Sequence, residues 1–192
     1  MNKYFLFLLF TIFSTSLLAQ SGFRLGFQGG VSNASIDQGG DLVGGPGLDM
    51  EDFSTIGLVV TRSWNEKWEM TSGLSYSAAT HIITPAPGLD LNKRFEEFSM
   101  VSIPVLASYS FLPFAFVTGG PIFDFQLGSS DYLSQSGIGY QLGLGGKYQV
   151  DRFRFAFIPN FKRHGAIQYE STSRKRNVME LGLNLEVTYQ IR

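Results

Sequence analysis

Residues 179–191 limit most tightly what this chain can fold into. Met179, Leu181, Leu183, Leu185, Val187, Tyr189 and Ile191 alternate without a break with Glu180, Gly182, Asn184, Glu186, Thr188 and Gln190. Strict alternation marks a β-strand with one apolar and one polar face. The stretch outruns the ~5–6 residues of a common soluble strand and suits the ~9–11 tilted residues that cross a bilayer, with interfacial residues left over. Backbone groups cannot stay unpaired in hydrocarbon, so a spanning strand implies a sheet closed on itself, with first and last strands in contact.

Seven further stretches carry the same signal: 22–33, 53–62, 68–78, 95–111, 114–127, 137–150 and 153–161. Four glycines in the first would cost a helix ~1 kcal/mol each relative to alanine. In the fifth, Phe116 and Ile122 fall on the otherwise polar parity, and Gly119-Gly120-Pro121 predicts a bulge. The connections 35–52, 79–94 and 162–177 are long, 128–136 is intermediate, and 63–67, 112–113 and 151–152 are short. The expected fold is all-β: an eight-stranded antiparallel up-and-down transmembrane β-barrel with long outer loops and short periplasmic turns. Trp64, Trp68, Phe114, Tyr148 and Phe153 gather at the short-turn ends as an aromatic girdle.

Composition agrees. The chain has 22 Gly, 18 Phe and only 16% charged residues, against ~25% charge in soluble domains. A formal net charge of −1 gives no electrostatic case for nucleic acid. With no cysteine, a disulfide framework, thiolate chemistry and a lipid-modified N-terminus are excluded. Asn2-Lys3, an apolar run from Tyr4 to Phe13 and the small residues up to Ala19 read as a secretory leader over 1–19, with 20–192 as one barrel domain. That run is short of the ~20 residues of a membrane helix. Export without cysteine points to a bacterial envelope.

Ser102-Ile103-Pro104-Val105-Leu106, Gly119-Gly120-Pro121, Tyr140-Gln141-Leu142-Gly143-Leu144-Gly145 and the leader ending Leu18-Ala19-Gln20 carry a resemblance. The chain resembles the outer-membrane β-barrel domain family of Bacteroidota, the PorT-like relatives of eight-stranded OmpA-type barrels. The resemblance implies a scaffold and a link to protein secretion across the envelope. Two departures stand out: the family usually has an acidic residue where this chain has Ser102, and usually ends on an aromatic that the barrel-assembly machinery reads. Here assembly would use Tyr189 or tolerate Ile191.

Candidate functional residues fall in two places. Arg24, Glu69, Lys147, Arg154 and Glu186 share the inward parity and, by strand direction, the periplasmic half. Eight strands enclose an interior just wide enough for side chains, so these charges are expected to pair as a network that plugs the lumen rather than lines a pore. Outside, Lys93, Arg94, Lys162, Arg163, Arg174, Lys175 and Arg176 gather at outer strand ends, where their chemistry suits lipopolysaccharide phosphates. Asp37, Asp41, Asp49, Glu51 and Asp52 make the first loop acidic, without the spacing of a calcium loop. His81 and His164, with Ser77, Thr80 or Glu170 as partners, are what a lipid-modifying enzyme would have to use. No nucleophile elbow, zinc-protease pair or phosphate-cradling loop accompanies them.

The leading expectation is a non-enzymatic integral outer-membrane barrel with a structural or surface, envelope-complex binding role, and no cofactor or metal. Its expected partners are outer-membrane lipid and lipopolysaccharide, the assembly machinery and an envelope protein. The alternatives are an outer-membrane lipid-modifying enzyme and an exported soluble ligand-binding barrel. In the soluble barrel the faces invert, so that the phenylalanines of the seventh strand line a pocket.

Overall fold

The computed structural model describes residues 22–37, 47–84, 92–127, 135–169 and 177–191. The leader expected at 1–19 lies outside them, as do Asp41, Glu170, Arg174, Lys175 and Arg176. The strands are β1 (Phe23–Asp37), β2 (Gly47–Ser63), β3 (Trp68–Thr84), β4 (Arg94–Leu112), β5 (Ala115–Leu127), β6 (Gly137–Val150), β7 (Phe153–Gln168) and β8 (Asn177–Ile191). Each pairs antiparallel with its sequence neighbours, and β1 pairs with β8 from Phe23↔Ile191 to Asp37↔Asn177, closing the barrel. Closure supplies the partners for the edge groups that hydrocarbon would leave unpaired.

Side chains sort by parity. Phe27, Ile56, Leu74, Leu142, Phe155, Phe157 and Leu185 are exposed on the outer face, whereas Thr61, Met100, Asp124, Asn160 and Thr188 are buried inside. The inverted, soluble arrangement is thereby overturned, because the β7 phenylalanines line no interior pocket.

Three expectations about boundaries are corrected. β1 and β2 reach into the loop expected at 35–52, β3 continues to Thr84, and β7 runs to Gln168 rather than ending at 161. The common cause is that a barrel wall extends past the hydrocarbon. There the outward positions turn polar, as at Asn33, Ser35 and Arg163, while backbone pairing continues.

The bulge expected in the fifth strand is also absent: β5 keeps one register from Pro104↔Ile122 to Ala107↔Gly119. Phe116 and Ile122 point inward and are buried. Phe116 fits because its ladder partner is Gly145, where a Cβ would come within 2.3 Å of the ring. The register breaks lie elsewhere: in β1–β2 between Ser32 and Ser35, in β2–β3 between Glu51 and Ser54, in β6–β7 between Ile138 and Tyr140, and in β4–β5 at the short turn between Ser110 and Leu112. Asp52 (φ 56°) and Gly165 (φ 58°) take left-handed backbone conformations beside these breaks.

Candidate functional site in the barrel lumen

At the short-turn end, one carboxylate holds three cations. Glu69 enters at the start of β3, Arg24 at the start of β1, Lys147 near the end of β6 and Arg154 at the start of β7, all on inward positions. Arg154 Nη1 donates to Glu69 Oε2 at 2.6 Å, Arg24 Nη1 to Oε1 at 3.3 Å, and Lys147 Nζ lies 3.8 Å from Oε2. Ser63 Oγ donates to Glu69 Oε1 at 3.0 Å and accepts from Arg24 at 2.8 Å, while Lys147 donates to Ser110 Oγ at 2.7 Å. Sharing and added hydrogen bonds are what make burial of such charges tolerable. Glu186 is inside and 7% exposed, yet it makes none of these bonds. Its tie to the network is electrostatic: Arg154 attracts its carboxylate through space, while the hydrogen bonds of the cluster close on Glu69.

Above this cluster Phe116, Ala156 and Ile158 pack together. Hydroxyl pairs cross the wall at similar depth, Thr61 with Thr71 at 3.1 Å and Ser108 with Thr118 at 2.9 Å. Farther up lies a cavity of about 20 Å³ lined by Thr55, Ser77, Gln141, Asn184, Lys162 and His164 among others. That is room for about one water molecule.

A second ionic cluster forms the roof of this cavity. His164 Nδ1 sits 2.9 Å from Asp124 Oδ2, and its Nε2 sits 3.0 Å from Glu180 Oε2. Lys162 Nζ donates to Glu180 Oε1 at 2.7 Å, and Ser102 Oγ donates to Asp124 Oδ1 at 2.6 Å. His164, Asp124 and Glu180 are each at most 2% exposed. Both ring nitrogens face carboxylate oxygens, which as ionised groups only accept hydrogen bonds.

An apolar cap covers this cluster. Met50, Phe53, Phe98, Met100 and Val178 pack with Ala34 and Ala79, and the Phe53 ring stacks 6.3 Å from the imidazole of His164. Gln135, fully buried, accepts from the Val178 amide at 3.0 Å beside the left-handed turn at Gly165.

Inward parity, outward apolar side chains and full closure describe a barrel made for a bilayer. A family model described as "Outer membrane protein beta-barrel domain" matches residues 18–192. The chain belongs to that family. The crystal structure of the outer membrane protein OprG from Pseudomonas aeruginosa is similar in fold, with a TM-score of 0.57 at 13% identity over 88% of this chain and 95% of that one. No curated protein matches the chain. The protein is an integral outer-membrane β-barrel, so its short turns mark the periplasmic end and its long loops the outside.

At the periplasmic end of this outer-membrane barrel, Trp64, Trp68, Phe114, Tyr148 and Phe153 are all exposed. Trp68 packs on Tyr109 at 5.0 Å and Phe153 meets Tyr189 edge-on at 5.1 Å. Outside, the basic residues among those described stand at two separate strands, and Arg174, Lys175 and Arg176 lie outside the described residues. Lys93 and Arg94 sit exposed at the start of β4, where Arg94 pairs with Glu96 at 3.4 Å, and Arg163 lies on β7. Lys162 is corrected from a rim residue to a lumen residue, because its parity is that of Arg154 and its ammonium is bound to Glu180. His81 is buried, with Nδ1 4.0 Å from Glu96 Oε2.

Asp124, Glu180, Lys162 and His164 were not expected as a group. The signal was in the sequence: on β7, Arg154, Ala156, Ile158, Asn160, Lys162 and His164 form one unbroken inward series.

Proposed function

We propose that this barrel is a non-enzymatic scaffold of the outer membrane, acting through its surface and its contacts in the envelope rather than through its lumen. The observation that carries this reading is the filled interior: an ion cluster, an apolar layer, a one-water cavity, a second ion cluster and an apolar cap follow one another along the axis. Each layer is made of side chains that would have to move before a solute passed. The histidine geometry supports the same reading. His164 is bracketed by two carboxylates and covered by Phe53, and the serine of that cluster donates to Asp124 rather than to the imidazole. A nucleophile–base pair needs the serine within reach of the base.

Finer assignments rest on the sequence resemblance. A PorT-like role in protein secretion would place an envelope protein against the loops or the periplasmic turns, and Lys93, Arg94 and Arg163 would contact lipopolysaccharide phosphates. Insertion would proceed through the barrel-assembly machinery with Tyr189 as the terminal aromatic. The test of the main reading is planar-bilayer recording of the refolded protein. A flat baseline at moderate voltage is expected, and steady unitary conductance scaling with salt would overturn it.

A further inference from the structure

The outer aromatic residues of the barrel are unevenly spread, with Tyr76 on β3 and Phe95 on β4 exposed and aromatic pairs farther round. Over β5 to β7 the pairs are Phe125 against Tyr169 and Tyr140 against Phe161. Followed around the wall, Phe161 pairs with Leu181 on β8 and Leu181 pairs with Asn33 on β1, so the aromatics stop there. In their place lies an open groove of about 870 Å³ across β8, β1 and β2. The β1–β2 and β2–β3 ladders slip at this point, and Asp52 sits there in its left-handed conformation.

The groove is two-toned. Val31 and Leu181, exposed by 67% and 70%, and Leu183 give it an apolar side, while Asn33, Ser54, Glu51 and Asp52 give it a polar one. Its size is that of a small-molecule site, about 300–1,000 Å³. Among the described residues neither Glu51 nor Asp52 enters a salt bridge. Of the basic residues described at the outer end, Lys93 and Arg94 stand away from it at the start of β4, and Arg163 stands on β7 opposite Met179, next to its β8 wall and across that strand from Glu51 and Asp52.

We propose that this groove binds a membrane amphiphile of the outer leaflet whose polar end carries an amine. An acyl chain lies along Val31, Leu181 and Leu183, and the ammonium sits against Glu51 and Asp52. The apolar side is continuous with the lipid-facing wall, which selects a lipid over a soluble ligand. The two carboxylates favour a cationic group and repel a purely anionic head. This inference rests on the outer wall alone and holds whether or not the lumen conducts.

The test is native mass spectrometry of the full chain refolded in a neutral maltoside detergent with EDTA, which removes divalent bridges. Phosphatidylethanolamine or phosphatidylglycerol of the same acyl chains is added. The amine lipid is expected to be retained about five- to tenfold more tightly, the scale of two exposed ion contacts. The preference should vanish in the Glu51→Gln/Asp52→Asn double variant, in which asparagine keeps the left-handed backbone accessible. Ser54→Trp, which fills the groove from its lipid-facing position, should lower retention of both lipids. All three proteins are compared as bands with the heat-modifiable mobility of a folded barrel. Equal retention of the two lipids, a preference that survives the double variant, or a protein dimer that displaces lipid would overturn the proposal.

Discussion

The two buried ion clusters solve the same problem in opposite ways. At the periplasmic end Glu69 is a hub, one carboxylate serving Arg24, Lys147 and Arg154. Near the outer end the charges form a chain, Lys162 to Glu180 to His164 to Asp124 to Ser102, in which each member bonds its neighbours. A hub concentrates the risk in one residue. In a chain, losing one member strands at most its own neighbour, and the remainder stays paired, as His164 with Asp124 when Glu180 is removed. The hub also lies where Arg24 and Lys147 retain some exposure, at 11% and 14%, so hydration tempers its excess of positive charge. The chain is at most 8% exposed at every ionic member and must balance internally.

The sharpest way to break this contrast is Glu69→Leu. Removing the hub strands two guanidiniums and an ammonium at once, and a loss of about 3–5 kcal/mol in folding stability is expected, the range for breaking a buried ion pair. Urea titration of the barrel in micelles, read by heat-modifiable mobility, measures it. An unchanged midpoint would mean that water, not Glu69, carries those cations.

Glu180→Leu should cost less, about 3 kcal/mol, the low end of that range, because it strands one ammonium rather than three cations while His164 and Asp124 remain paired. Adding Lys162→Met to that variant removes the stranded ammonium and should return stability to within about 1 kcal/mol of the parent, since apolar replacement of a whole buried pair is often neutral. If the double variant is as unstable as Glu180→Leu alone, the chain picture fails and the outer cluster is itself a hub centred on Glu180.

Glu186→Leu is the smallest of these effects. Although buried, Glu186 makes no hydrogen bond to the hub and is attracted by Arg154 only through space, so the change should stay within about 1 kcal/mol, because Arg154 keeps its bond to Glu69. A loss comparable with that of Glu69→Leu would show that Arg154 depends on both acids. Against the expectation that all five lumen charges pair as one network, this is the discriminating pair of variants.

Parity carried most of the reading from sequence to structure. It placed Arg24, Glu69, Lys147 and Arg154 inside, and the short turns beside them set their level along the axis. It does not reveal the outer cluster, because the apolar outward series that marks the seventh strand ends at Phe161. The inward series continues through Lys162 and His164, and following that face rather than the lipid face would have found them. Asp124 and Glu180 stand on the inward parity of their strands, but parity names no partner for either.

What the sequence determined by itself is therefore local and periodic. Alternation sets which side of the wall each residue occupies, loop lengths set which end faces out, and the ban on unpaired backbone in hydrocarbon sets closure. What only the tertiary structure decided is which side chains meet across the lumen. Glu69 on β3 reaches Arg154 on β7, and His164 on β7 reaches Asp124 on β5, between strands that share no ladder. Those meetings depend on the stagger and tilt of the closed sheet, a property of all eight strands together that no single stretch of alternating residues contains.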